Sequence, residues 1–191
     1  MLELKLKRTL IRLDFSFFAV VALYLLLDES GFGMAALAAC FMHETAHFIA
    51  MALCGVQANS LTLYGAGMRI SSAALEHARP LRKAIILSAG VFANFIAAAL
   101  FWGSGCLGAA AVNLFTGLFN LLPIGELDGA QILKMLLIRH CRAERVDGYM
   151  KLAACISAAI TAVGVVLVCG EAPLTFVITA VYIIIMCAGK I

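Results

Sequence analysis

Six apolar stretches divide this chain of 191 residues, and each is long enough, or nearly so, to cross a bilayer as a helix. They run approximately over 12–27, 33–54, 81–102, 105–122, 150–169 and 173–188. The first and last are short for a full span, so tilt or local thinning must accommodate them. Composition agrees: 64% of residues are hydrophobic, 13% are charged and the mean hydropathy is +1.04, whereas a soluble domain carries about 25% charge. The expectation is an all-α polytopic membrane protein of about six transmembrane helices. Its N-terminal basic run leads into an apolar stretch that ends at Asp28 and Glu29 with no small-residue cleavage site. That pattern reads as a first helix retained in the membrane, not as a cleaved signal. Tight turns are expected at Gly31-Phe32-Gly33, Gly103-Ser104-Gly105 and Gly170-Glu171-Ala172-Pro173. With no internal repeat and no linker, residues 1–191 are taken as one domain.

Charge sets the orientation. With six spans, all 14 Lys and Arg fall on one side of the membrane, and the other side keeps only Asp28, Glu29 and Glu171. The positive-inside rule then puts both termini in the cytoplasm.

Within the second apolar stretch stands His43-Glu44-Thr45-Ala46-His47. Ionisable groups at membrane depth are costly and mark functional sites by default. Residues i and i+4 share one helix face, so His43 and His47 can grip one cation together. Glu44 follows its ligand histidine directly and reaches a water on that cation. This is the H-E-x-x-H pattern of zinc-dependent hydrolysis, with two imidazole ligands and a general base. A zinc site for hydrolysis wants a third protein ligand and one open position. His77 and His140 lie beside arginines in segments read as cytoplasmic loops, and are read as solvated side chains. Asp128 lies in Asn120-Leu121-Leu122-Pro123-Ile124-Gly125-Glu126-Leu127-Asp128-Gly129, where Pro123 and Gly125 interrupt an apolar run. Irregular backbone at membrane depth is tolerated only where it lines a cavity or is buried in protein. Taken alone, Asp128 reads equally as a site carboxylate on such a break or as an ordinary helix N-cap.

The two segments HETAH and NLLPIGELDG, in that order and on separate spans, resemble the site-2 protease family of intramembrane zinc metalloproteases. The likeness is strongest to its sporulation factor IVFB-type branch and covers about residues 10–140. The resemblance implies one zinc ion per chain, with His43 and His47 as ligands, Glu44 as catalytic base and Asp128 as third ligand. It also implies that Asn120, Pro123 and Gly129 shape the broken helix that carries Asp128. Ser88-Ala89-Gly90-Val91-Phe92-Ala93-Asn94 is similar to the family's G-P-x-x-N segment, which puts Asn94 near the site. Val91 stands where proline is usual there, and Ala130 where a second glycine is usual after LDG. The activity implied is an endopeptidase that cuts a membrane-embedded or membrane-tethered protein within or near its transmembrane segment. For this branch that means regulated intramembrane proteolysis in a bacterial cell membrane, with a sigma-factor precursor of sporulation as substrate. The partners implied are a membrane protein substrate, the lipid bilayer and a regulatory membrane partner, with no nucleic acid. Relatives often add a nucleotide-sensing tandem-repeat domain or PDZ domains, and neither is expected here.

Between the second and third helices, Leu61-Thr62-Leu63-Tyr64 and Met68-Arg69-Ile70-Ser71 alternate apolar and polar residues around Gly65-Ala66-Gly67. This predicts a small membrane-associated β-hairpin. It is either an amphipathic ribbon at the interface or an edge strand that pairs with unwound substrate, and the resemblance supports the second. The cysteines show no CxxC pairing and read as packing residues. Cys40 alone shares a helix face with both histidines, and it too is taken as packing.

The chemistry expected is that of a zinc-activated water, with Glu44 taking the proton and passing it to the leaving amine. No cationic donor stands within the spans, so zinc, aided by Asn94, is expected to stabilise the oxyanion. The rival readings are a non-catalytic zinc-binding membrane scaffold and a metal transporter. A transporter has no need of a glutamate between two histidines, and would show repeats or a longer polar path.

Overall fold

The computed structural model describes residues 2–6, 9–27, 32–64 and 67–169. In chain order the elements are β1 (Leu2–Leu6), β2 (Thr9–Leu13), α1 (Phe15–Leu27), α2 (Phe32–Leu53), β3 (Ser60–Tyr64), β4 (Gly67–Ser71), α3 (Ala73–Glu76), α4 (Pro80–Gly103), α5 (Leu107–Asn120), α6 (Asp128–His140) and α7 (Ala143–Cys169). The chain divides into two compact units, Met1–Leu118 and Phe119–Ile191.

In the first unit the four strands form one sheet in the order β1-β2-β3-β4. The expected hairpin is present as the antiparallel pair β3–β4, with Tyr64 opposite Gly67. It does not stand alone. Strand β2 pairs parallel with β3, Leu10 opposite Ser60 and Leu13 opposite Leu63, and β1 adds an antiparallel strand beyond β2. The all-α expectation is corrected to a mostly helical chain with a four-stranded sheet. Leu2-Glu3-Leu4-Lys5-Leu6 alternates with the period of a strand, and its Glu3 pairs across the ladder with Arg12, whose Nε lies 3.0 Å from Glu3 Oε1. Parallel strands cannot be joined by a tight turn, and here α1 and α2 make the long connection from β2 to β3. Asp14 passes the chain from sheet to helix. Its N–H donates to Leu63 O at 2.9 Å, and its Oδ1 accepts from the N–H and hydroxyl of Ser16.

Helix α2 packs chiefly against α4. The buried positions of α2 include Ala39, His43, His47, Ala50 and Met51; those of α4 include Ile86, Leu87, Gly90, Val91, Asn94, Ala97 and Ala98. Both sets follow the i, i+3, i+4 spacing of one helix face, and their small residues let the two backbones approach closely. The opposite faces carry large apolar side chains: Phe41 and Trp102 are 70% and 71% exposed. Polar residues inside and large apolar residues outside reverse the soluble arrangement. Helix α2 stops at a Schellman cap, in which Val56 N–H donates to Met51 O and Gly55 N–H to Ala52 O. Gly55 at φ +67° takes the left-handed conformation this cap needs. Helix α4 starts with Pro80 in its first turn and ends in the same motif through Gly105, which realises the turn expected at Gly103-Ser104-Gly105.

Among the described residues, two helices are long and apolar enough to cross a membrane, Gly33–Leu53 and Pro80–Gly103. The six spans expected from hydropathy are not all of that kind. The first loses residues 12 and 13 to β2, which leaves α1 with 13 residues, and α5 has 14, against roughly 20 for a straight crossing. The span expected at 150–169 begins seven residues earlier, as α7, with Glu144, Arg145 and Asp147 in its first turns. The span expected at 173–188, the turns at 31 and 170–173 and the outer acidic residues Asp28, Glu29 and Glu171 lie outside the described residues.

In the second unit the interruption after α5 occupies residues 121–127, and short turns satisfy much of its backbone: Leu122 N–H to Phe119 O, Ile124 N–H to Leu122 O and Leu127 N–H to Ile124 O. The segment 123–149, expected to be a connection, contains α6. Gly129 is held close under the break, where an added Cβ would overlap the Leu121 carbonyl. The cap residue of α6 is Leu127, and Asp128 stands one position inside the helix. The N-cap reading of Asp128 is corrected accordingly.

Candidate active site

The HETAH segment lies in mid-helix on α2, so His43 and His47 stand one turn apart on the face turned to α4, both buried. Their rings meet edge to face, with centroids 4.7 Å apart and planes at 78°. Each Nδ1 is anchored by α4. His43 Nδ1 lies 2.7 Å from Asn94 Oδ1, and His47 Nδ1 lies 2.7 Å from the Ile86 carbonyl oxygen.

These anchors fix the tautomers. A backbone carbonyl only accepts, so His47 Nδ1 must carry the hydrogen. Asn94 is oriented by its amide nitrogen, which donates to Ala39 O at 3.2 Å and to Asn113 Oδ1 at 3.1 Å. Its oxygen therefore faces His43, whose Nδ1 must also donate. Both Nε2 atoms then turn toward a shared space, 3.1 Å from each other. Two imidazole lone pairs this close, in a buried place, call for a positive centre between or beside them. A metal-ligating histidine characteristically donates its other ring N–H to an oxygen acceptor, and both rings do so here.

Gly90 makes the room. A Cβ on Gly90 would lie 2.5 Å from His47 Nε2 and 2.6 Å from His43 Nε2, so only glycine leaves the Nε2 side open. Gly90→Ala is expected to weaken divalent-metal binding by at least about 10-fold while helix content by circular dichroism is kept. Metal titration of both proteins checks this. Glu44, half-buried, follows His43 directly.

The other residues singled out from sequence are placed as follows. Asn94 is 0% exposed, and both its amide hydrogens are taken by Ala39 and Asn113. No hydrogen remains for an oxyanion, so the expected helper role is corrected: Asn94 orients His43. In the second unit Asn120 ends α5, Pro123 lies in the break, and Asp128 and Gly129 are buried in the first turn of α6. A carboxylate in a first turn is favoured by the helix dipole. His77 is exposed and bonds locally to Ala73 O, and His140 is exposed beside Arg142 and Arg145. Cys40 on α2, Cys106 in the turn between α4 and α5, and Cys155 on α7 are exposed rather than packed. Sequence reasoning missed Gly90, Asn113 and the Ile86 carbonyl. Asn113 carried a signal, a lone amide inside an apolar helix.

Among solved structures, a site-2 protease from Methanocaldococcus jannaschii is similar to this chain, with a TM-score of 0.64 and 18% sequence identity over 99% of this chain and 94% of that one. The chain has a site-2 protease fold. No protein-family model matches it, and no curated protein does. At 18% identity the likeness is one of fold, and the chemistry rests on the site's own residues.

Proposed function

We propose that this chain is an intramembrane zinc-dependent endopeptidase of the site-2 protease type, with residues 1–191 working as one catalytic domain. It cuts a membrane-embedded or membrane-tethered protein within or near its transmembrane segment. The observation that carries this reading is the histidine pair: both Nδ1 atoms are committed to oxygen acceptors, and the two Nε2 atoms converge to 3.1 Å of each other. The fold adds support.

His43, His47 and Asp128 are three buried donors of the types that hold zinc, and one ion per chain is proposed on them. When bound, zinc supplies Lewis acidity, which polarises the scissile carbonyl and lowers the pKa of a water toward about 7. Glu44 accepts the proton from the attacking water and returns it to the leaving amine. Asn94 and Ile86 O hold the two rings in place. Asn120, Pro123 and Gly129 shape the break that presents Asp128.

The reading extends to an integral membrane protein with about six spans and both termini in the cytoplasm of a bacterial cell, as the distribution of Lys and Arg supports. Strand β4, at one edge of the sheet, is proposed to pair with unwound substrate and so expose a peptide bond that a helix would shield. The sporulation-branch resemblance supports a membrane-tethered sigma-factor precursor as substrate, in regulated intramembrane proteolysis with a regulatory membrane partner.

Purified protein in proteoliposomes with a transmembrane model substrate tests the reading. Stripping with 1,10-phenanthroline should abolish cleavage, and one equivalent of zinc should restore it. Cleavage that survives complete removal of zinc would overturn the metalloprotease assignment.

A further inference from the structure

Asn113 is a buried amide on α5 for which the chemistry above has no use. Its Nδ2 donates to the Ala109 carbonyl one turn earlier, at 2.9 Å. A carbonyl only accepts, so the Asn113 oxygen is forced to the other side, where it receives the Asn94 amide at 3.1 Å. Asn94 turns its own oxygen on His43 Nδ1 at 2.7 Å. The row from Ala109 through Asn113 and Asn94 to His43 therefore has one consistent order of donors and acceptors, in which Asn113 shares the orienting of Asn94 with the Ala39 carbonyl at 3.2 Å. Flipping either amide would set oxygen against oxygen, or N–H against N–H, between two buried side chains.

We infer that Asn113 is a positioning residue for His43. Through Asn94 it holds the imidazole in its Nδ1–H form and so keeps the Nε2 lone pair turned to the cation. The cation part rests on the proposed metalloprotease reading; the tautomer part does not. A plain packing role, an amide that ties α4 to α5, would affect stability and leave the tautomer alone.

Two variants separate these roles. Asn113→Leu keeps approximate volume and removes the acceptor. Asn113→Asp, as the neutral acid that burial favours, keeps an oxygen facing Asn94 and an O–H facing the Ala109 carbonyl. In metal-free protein at about pH 8, above the imidazole range, ¹⁵N spectra of the histidine side chains report which ring nitrogen of His43 carries the hydrogen. Asn113→Leu should raise the Nε2–H population and weaken zinc in a chelator competition by about 10-fold, the low end for partners behind a ligand. Asn113→Asp should stay near wild type in both. If Asn113→Leu does not fold, Asn113→Ala carries the same test. The inference is overturned if the acceptor-free variant keeps the wild-type tautomer and zinc affinity. It is equally overturned if Asn113→Asp loses as much as Asn113→Leu. A shifted tautomer in Asn113→Leu, together with a wild-type protein that binds no zinc, would uphold the positioning role and sink the metalloprotease reading instead.

Discussion

Glu44→Gln is expected to lower cleavage of a membrane-embedded substrate by about 10²–10⁴-fold, with zinc content and thermal stability at wild-type levels. The substitution keeps size and shape and removes the only group assigned to carry protons between water and leaving amine. Each imidazole Nδ1 is anchored on α4, by Asn94 and by the Ile86 carbonyl. The loss should therefore appear in kcat at unchanged substrate affinity. Zinc, melting temperature and cleavage measured on one preparation check this. Full activity in the variant would point to a zinc-binding scaffold, and joint loss of all three would mean a folding defect.

Asp128→Asn should weaken zinc binding by more than the roughly 10–100-fold typical of residues behind a ligand, because it removes the negative charge from the proposed ligand set. Asparagine keeps the size and shape of aspartate, so α6 should hold. Equilibrium dialysis against a zinc chelator, paired with thermal denaturation, distinguishes the alternatives. Wild-type zinc affinity with lowered stability would assign Asp128 to helix-start electrostatics alone.

Much of this architecture could be read from the residues, and the parts that could not have physical reasons. Helices α2 and α4 lie within a residue of their expected ends, since long apolar runs punctuated by Gly and Pro leave little choice. The β3–β4 hairpin followed from alternation alone. Strands β1 and β2 were hidden because their basic residues were counted toward membrane orientation, although Leu2–Leu6 alternates as clearly as Leu61–Tyr64. Helix α6 was hidden in the same way, by the charges of its last turns. At the site, the histidine pair and Glu44 announced themselves by spacing. The Ile86 carbonyl has no sequence signature, because every residue has one. Gly90 becomes meaningful only once α4 lies against the two imidazoles. The oxyanion role for Asn94 failed on a count of hydrogens, which needed both of its acceptors, Ala39 O and Asn113 Oδ1, to be seen.

The most direct test of the central claim is to map the products when zinc-loaded wild-type protein meets a transmembrane substrate in a bilayer. Mass spectrometry of the fragments should place the cut within the substrate's span or at its cytoplasmic border, with no such product from Glu44→Gln. An intact substrate, or the same fragments from the Glu44→Gln protein, would contradict the account.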